Sequence, residues 1–270
     1  MILRSLESAA NGMLSLIEMN DNTAQNLANV NTVGYKKSSL TFQDIYDSAV
    51  IQKKGTILQG NARDLGTLSM GSQSMKLTYD FTQGALARTE NPLDLGIEGD
   101  GFFKVQDKNG NIAYTRNGSL TLDHQSFLVT KEGDYVLDDR NEPIRLWRDD
   151  MELNARRDIV VGEQGAIEIN DINIKIPMQT IAVYDFADKE GLSAVGNSKF
   201  IVTNPDENPE LRAEKFTIQQ GTLEMSNASV INEMINTINT SRNYESLSKL
   251  VKENGQMLST AISVGRVRVS

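Results

Sequence analysis

The sequence has 270 residues, a net charge of −9 and no cysteine. This composition excludes structural disulfides and thiolate metal sites, and the lack of a basic block argues against nucleic acid as a partner. The ordinary content of apolar residues predicts a folded chain. The chain contains no run of about 18 apolar residues, so no membrane-spanning helix is predicted.

The amino-terminal run from Leu3 to Tyr35 carries apolar and small residues at alternating intervals of three and four. This spacing predicts a long helix with a narrow seam that lies along another helix. Gly34 is predicted to take the left-handed conformation that often ends a helix. The seam consists of Leu3, Leu6, Ala10, Met13, Ile17, Ala24 and Leu27, with Asn20 at its polar position.

The carboxy-terminal run from Ser226 to Ser263 repeats this pattern. The predicted fold class is therefore α+β. The long N- and C-terminal helices are predicted to form a coiled coil with each other, and a central all-β domain of many short strands lies between them in the sequence. A helix of about 28 residues is roughly 42 Å long, more than a small β domain can cover. The alternative is that each stripe is the core face of an ordinary helical bundle. The second seam consists of Ile231, Met234, Ile235, Ile238, Leu247, Leu250, Asn254, Met257, Ala261 and Val264.

The middle of the chain changes to short segments separated by glycines. The spacing of apolar residues over 40–50 predicts a short amphipathic helix, and 72–79 is predicted as a strand. Asn109-Gly110 predicts a tight hairpin. Further strands are predicted at 93–97, 102–105, 112–115, 120–122, 127–130, 135–137, 144–147, 159–161, 166–169, 172–176, 180–184 and 216–220.

These elements predict three regions. Residues 1–36 together with 222–270 form the terminal-helix domain, 37–83 form a connecting segment, and 84–221 form the central β domain.

Few residues suggest catalysis. His124 is interpreted as an exposed turn residue, the stretch from Asp107 to Asn111 as a hairpin turn rather than a calcium loop, and the glycines of 96–101 as sites of tight turns or close backbone approaches. The acidic pairs at 138–139 and 149–150 are interpreted as solvated loop residues. The sequence therefore predicts a protein that is not an enzyme and has no catalytic, cofactor or metal site.

Several motifs match one known family, in order along the chain. Together they resemble the flagellar basal-body rod and hook proteins, and the length and the Arg-Ser-Leu start are similar to the rod subgroup, the FlgF and FlgG type. The motifs are Arg4 to Leu6, Ala9 to Met13, Asn26 to Lys36, Thr82 to Gly84, Asn91 to Val105, Tyr114 to Gly118, Gln220 to Asn227, Glu233 to Ile235 and Arg242 to Glu245.

The resemblance implies a structural axial subunit of the rod, proximal or distal, which polymerises into a helical tube that transmits torque and forms the export channel. The implied partners are copies of the chain, other rod and hook axial proteins, the flagellar export apparatus, and the P- and L-ring bushing. The implied location is the periplasmic rod of the basal body, reached without a cleaved signal peptide. The expected assembly interface comprises Leu6, Met13, Ile17, Leu27, Ile231, Ile238, Leu247 and Leu250.

Two alternatives remain open. One is a hook-type axial protein. The other is a β-domain enzyme or carbohydrate-binding protein whose helices only dimerise it, which would be indicated by polar residues clustered around a pocket.

Overall fold

The computed structural model describes residues 2–51, 64–146, 159–169 and 179–267. It divides into two compact units. The first, the helix–strand unit, comprises Met1–Leu27, Ser38–Thr78 and Val230–Ser270. The second, the β body, comprises Ala28–Lys37 and Tyr79–Ser229.

The helix–strand unit is built from two long helices and two long strands. Helix α1 spans Ile2–Ala28, and helix α2 spans Val230–Val267. Strands β1 (Ser38–Ile51) and β2 (Asp64–Tyr79) form a two-stranded sheet. At 38 residues α2 is about 57 Å long.

The predicted helix over 40–50 is wrong, because these residues belong to β1. The segment is rich in β-branched and aromatic residues, among them Phe42, Ile45 and Tyr46. Such residues favour a strand when a partner strand is present, and β2 supplies that partner from a distant part of the chain. The predicted strand at 72–79 is confirmed within β2.

The predicted coiled coil of the terminal helices is also wrong, although the α+β composition holds. Both helices are present, but the seams do not bury each other, since Ile231, Leu250 and Met257 are all exposed. The side chains that α2 buries include Glu233 and Thr240, which are polar. A heptad pattern marks an apolar face and does not identify what covers that face, which is why the prediction failed.

The strands of the β body are short and joined by tight turns. All the pairings described for them are antiparallel. They are β3 (Leu86–Arg88), β4 (Leu95–Gly99), β5 (Phe102–Gln106), β6 (Ile112–Thr115), β7 (Leu120–Leu122), β8 (Leu128–Thr130), β9 (Tyr135–Val136), β10 (Ile159–Val161), β11 (Ile167–Ile169), β12 (Val183–Phe186), β13 (Leu192–Gly196), β14 (Lys199–Val202), β15 (Glu210–Arg212), β16 (Phe216–Gln220) and β17 (Thr222–Glu224).

A nine-stranded sheet organises this body. Its order is β13-β14-β6-β5-β9-β8-β7, with β12 also paired to β5 and β15 paired to β12. The pairs β4–β16, β3–β17 and β10–β11 form three small sheets. Because β3 and β17 pair, the strand that precedes α2 is held beside the start of the β body.

Strand β5 is the centre of the core because both of its faces are buried. Phe103 and Val105 lie in a large aliphatic cluster, and Phe102 lies in an aromatic cluster with Tyr114 and Phe200. Burying a side chain of this size stabilises the fold by about 1.5–3 kcal/mol, so the β body has a substantial core of its own.

The local sequence signals within the β body are mostly confirmed. Strands β5 and β6 form the hairpin predicted at Asn109-Gly110, and Gly110 has a φ of 89°. The predicted strand at 144–147 is wrong within the described residues, which form only an isolated bridge between Phe127 and Arg145. The predicted strand at 172–176 lies outside the described residues.

Gly118 gives a stability prediction. A Cβ at this position would lie 1.7 Å from the carbonyl oxygen of Leu95. The N–H of Leu95 donates a hydrogen bond to the Gly118 carbonyl oxygen at 2.9 Å. Gly118→Ala should therefore lower the free energy of unfolding by about 3 kcal/mol or more, since a backbone hydrogen bond must break to admit the methyl group.

Gly110→Ala is the matched control, because Gly110 has a positive φ but only Gln106 Nε2, at 3.9 Å, near its Cβ position. It should cost about 1–2 kcal/mol from backbone strain alone. Urea denaturation followed by near-ultraviolet circular dichroism measures both variants. Equal losses would contradict the steric explanation.

Candidate assembly surface

Helix α2 presents an apolar stripe to solvent. Ile231, Met234, Ile235 and Ile238 follow i, i+3, i+4, i+7 spacing and so share one face of the helix. Ile231 is 71% exposed and Ile238 is 51% exposed. Single exposed apolar residues are ordinary, whereas a contiguous exposed stripe indicates a binding surface.

The opposite face of α2 buries polar side chains. Glu233 and Thr240, one heptad apart, are 1% and 3% exposed. Within this face the Thr237 hydroxyl donates to the Glu233 carbonyl at 2.9 Å. A surface helix normally buries its apolar side. The reversed arrangement of α2 therefore indicates that its apolar stripe is not part of the subunit's own core.

Helix α1 shows the same reversal. Leu14 and Ile17 are exposed, while Thr23 and Asn26 are buried. Asn26 is held within the helix–strand unit, since its side-chain NH2 donates to the Ser38 carbonyl at 2.8 Å and its Oδ1 accepts from the Ser38 N–H at 3.0 Å. The polar face of α1 is thus used for intramolecular packing near its carboxyl end.

The eight sequence-predicted interface residues fall into two groups. Ile17, Ile231, Ile238 and Leu250 are exposed. The other four, Leu6, Met13, Leu27 and Leu247, are partly buried. A Cβ on Gly12 would lie 3.4 Å from Leu247 Cδ1, so α1 and α2 approach each other there.

The terminal helices also expose large apolar residues that the site prediction omitted, among them Leu14, Met234 and Ile235. Met234 and Ile235 belong to the predicted seam, so the heptad spacing could have added them to the predicted interface. Leu14 lies off the heptad positions and had no periodic signal.

A buried charge cluster lies within the β body, and we call it the charge junction: Lys36, Arg116 and Glu224. Lys36 Nζ and Glu224 Oε1 are 2.7 Å apart, and Arg116 Nη1 and Glu224 Oε2 are 3.2 Å apart. All three side chains are almost fully buried. Burial lowers the pKa of both Lys36 and Arg116, and the Glu224 carboxylate opposes each shift. No prediction from the sequence placed these three residues together.

Two glycines allow the backbone to pack closely at the charge junction. Gly34 has a φ of 67°, and its N–H donates to the Glu224 carbonyl at 2.8 Å. A Cβ there would lie 2.4 Å from the Asn117 nitrogen. The predicted left-handed conformation of Gly34 is confirmed, although α1 ends earlier, at Ala28. A Cβ on Gly84 would lie 2.0 Å from the Met225 carbonyl oxygen.

A further buried cation, Lys104, lies elsewhere in the β body. Lys104 Nζ donates to Glu210 Oε1 at 2.7 Å and to Asn141 Oδ1 at 2.6 Å. The Tyr114 hydroxyl donates to Glu210 Oε2 at 2.5 Å. Burial, and then this hydrogen bond to Glu210, raise the pKa of Tyr114 above its ordinary value.

The residues considered for chemistry occupy structural positions. His124 is exposed in a turn, as predicted, and the Asp107 carboxylate accepts hydrogen bonds within its hairpin turn. Gly99 and Gly101 have positive φ, which confirms their interpretation as turn glycines. Asp138 is buried and its carboxylate accepts from two backbone N–H groups, so its interpretation as solvated is wrong. The pair at 149–150 lies outside the described residues.

The described parts of the chain bring together no cluster of three metal-ligating side chains. Neither helix, over its described residues, has the length and apolar character needed to cross a bilayer. A cavity of about 520 Å³ in the β body is lined by both acidic and basic side chains, including Asp100, Asp185, Arg212 and Lys215. Next to it, Lys189 forms a 2.6 Å ion pair with Asp100.

Two family models match the chain. Residues 96–184 match the flagellar hook protein FlgE/F/G D1 domain, and residues 219–264 match the flagellar basal body rod FlgEFG protein C-terminal region. The chain is 32% identical to the flagellar basal-body rod protein FlgG of Borreliella burgdorferi, over 98% of this chain and 100% of that protein. The chain belongs to the flagellar basal-body rod protein family.

Other relatives in this family lie at similar distance. The FlgG protein of Bacillus subtilis is 30% identical over 98% of this chain and 100% of its own length. The FlgF protein of Rhizobium meliloti is 30% identical over 94% of each chain. Relatives of both the FlgG and the FlgF type therefore match over nearly the whole chain.

The raised pKa of Tyr114 predicts a pH dependence of stability. An unfolded tyrosine loses its proton near pH 10, whereas folded Tyr114 retains it. Above about pH 10 the unfolded state therefore binds fewer protons than the native state, and stability falls as pH rises. Tyr114→Phe should make this fall shallower by up to about 1.4 kcal/mol per pH unit.

Urea denaturation of the wild type and of Tyr114→Phe at intervals from pH 8 to pH 11 measures the effect. Parallel losses of stability in the two proteins would contradict it.

Proposed function

We propose that this chain is a structural axial subunit of the bacterial flagellar rod that polymerises into a helical tube through the exposed apolar faces of its terminal helices. The observation that carries the proposal is the apolar stripe of α2, exposed on a chain that matches rod proteins along nearly its whole length. Contacts that repeat between identical subunits without closing generate a helical filament.

The exposed faces supply the energy for such an assembly. Each large apolar side chain that becomes buried contributes about 1.5–3 kcal/mol. The four residues of the apolar stripe, and Leu14, Ile17 and Leu250 elsewhere on the terminal helices, expose apolar surface of the kind that subunit contacts cover. We place the interface at the eight predicted residues and extend it to Leu14, Met234 and Ile235.

Further parts of the proposal concern location and partners. The subunit would lie in the periplasmic part of the basal body, after export by the flagellar export apparatus without a cleaved signal peptide. Its neighbours would be copies of itself, other rod and hook axial proteins, and the P- and L-ring bushing. It would act as a channel wall and torque-transmitting shaft rather than as an enzyme.

A glycan-binding or enzymatic β domain remains the second candidate from the sequence. The cavity lined by Asp100, Asp185, Arg212 and Lys215 is the feature that such a function would need. Its lining is of mixed charge, and Lys189 already pairs with Asp100. The family match favours the structural function.

A charge in the apolar stripe tests the proposal. Ile238→Asp should leave the monomer folded, because Ile238 is half exposed in the subunit. It should abolish rod assembly, because an unpaired carboxylate buried in a subunit contact costs several kcal/mol. The measurement is the presence of rods in basal bodies isolated from a strain in which the variant replaces the wild-type chain, together with swimming motility.

Asn239→Asp is the matched control, because it adds the same charge at the adjacent exposed position. It should retain rods and motility. Near-ultraviolet circular dichroism of the purified monomers checks that both variants keep the aromatic core. Intact rods with Ile238→Asp would overturn the placement of the interface.

A further inference from the structure

We propose that Glu224 acts as a latch that couples two distant segments of the chain, 34–37 and 80–84, so that they dock on the β body or leave it together. This inference concerns the folded subunit and does not depend on the proposed function. It rests on the charge junction and on the backbone contacts around it.

One carboxylate serves both segments. Glu224 Oε1 accepts from Lys36 Nζ at 2.7 Å and from the Gly84 N–H at 2.9 Å. Lys36 Nζ also donates to the Thr82 carbonyl at 2.7 Å. The first segment therefore holds the second through a shared ion pair, and neither segment can leave without exposing the hydrogen bonds of the other.

The backbone and Asn227 reinforce the same coupling. The Lys37 N–H donates to Asn227 Oδ1 at 2.7 Å, and the Asn227 amide donates to the Asp80 carbonyl at 2.7 Å. The Asp80 N–H donates directly to the Lys37 carbonyl at 2.8 Å. Glu224 and Asn227 thus contact both segments from positions three residues apart.

The electrostatics make the latch cooperative. Arg116 contacts the other oxygen of Glu224 and also donates to the Gly99 carbonyl at 2.8 Å, which fixes the carboxylate to the sheet. Removing one partner of a buried ion pair leaves an uncompensated charge in a low-dielectric interior, which is strongly unfavourable. Without Glu224, Lys36 and Arg116 would both be buried without their carboxylate, and Lys36 can reach water only if segment 34–37 moves.

The test is hydrogen–deuterium exchange of the full-length monomer, read by mass spectrometry. Glu224→Gln should raise amide exchange in peptides covering 34–37 and 80–84 by at least about tenfold in both segments, while the β5–β6 hairpin keeps its protection. A rise in one segment alone, or in neither, would overturn the latch.

Glu210→Gln is the matched control, because it removes the carboxylate from Lys104, another buried lysine among the described residues of the same body. It should leave exchange at 34–37 and 80–84 within about twofold of the wild type. An equal rise with Glu210→Gln would mean that the effect is general destabilisation, and the latch would be rejected.

If Glu224→Gln exposes the whole β body, Lys36→Met decides the question, because it keeps the Glu224–Arg116 pair. The latch then requires exchange to rise at 80–84 as well as at 34–37. A rise confined to 34–37 would show that the segments are independent.

Discussion

The structure of the β body depends on how one buried carboxylate is neutralised. Glu224 is the point where the segment after α1, the segment after β2 and the strand before α2 meet, and its two cationic partners come from distant parts of the chain. Removing three charges from water is unfavourable unless the charged groups lie within ion-pair distance of one another. The close packing of the backbone at Gly34 and Gly84 allows these short distances. A Cβ at either glycine would force the backbones of this cluster apart.

The two units meet different physical demands. The β body buries aliphatic and aromatic clusters on both faces of β5 and so is stabilised within one chain. The terminal helices instead bury Thr23, Asn26, Glu233 and Thr240 and expose apolar side chains. A subunit of this kind can fold around its sheet before it meets a partner. The exposed apolar side chains of the helices then remain available for contacts between subunits.

Sequence reasoning succeeded where the determining interactions are local. The β5–β6 hairpin follows from Asn109-Gly110 and from alternation on either side. The helix predicted over β1 was wrong because pairing with β2 outweighs the helical spacing of its apolar residues. The predicted coiled coil was wrong because periodicity identifies the apolar face of a helix and not the partner of that face. Glu224 was missed because its partners Lys36 and Arg116 lie 188 and 108 residues away. The available signal was that all three fall within motifs shared with the family.

A charged cluster suits this position better than an apolar contact would. Apolar packing is non-directional, and a segment held only by it can shift by small amounts at little cost. A carboxylate with a lysine, an arginine and a backbone N–H around it accepts each donor along a defined direction. Segments 34–37 and 80–84 therefore have one favoured position on the β body. In the helical polymer that we propose, identical subunits would repeat every small displacement, so a directional contact where the three connections converge limits errors that would otherwise accumulate.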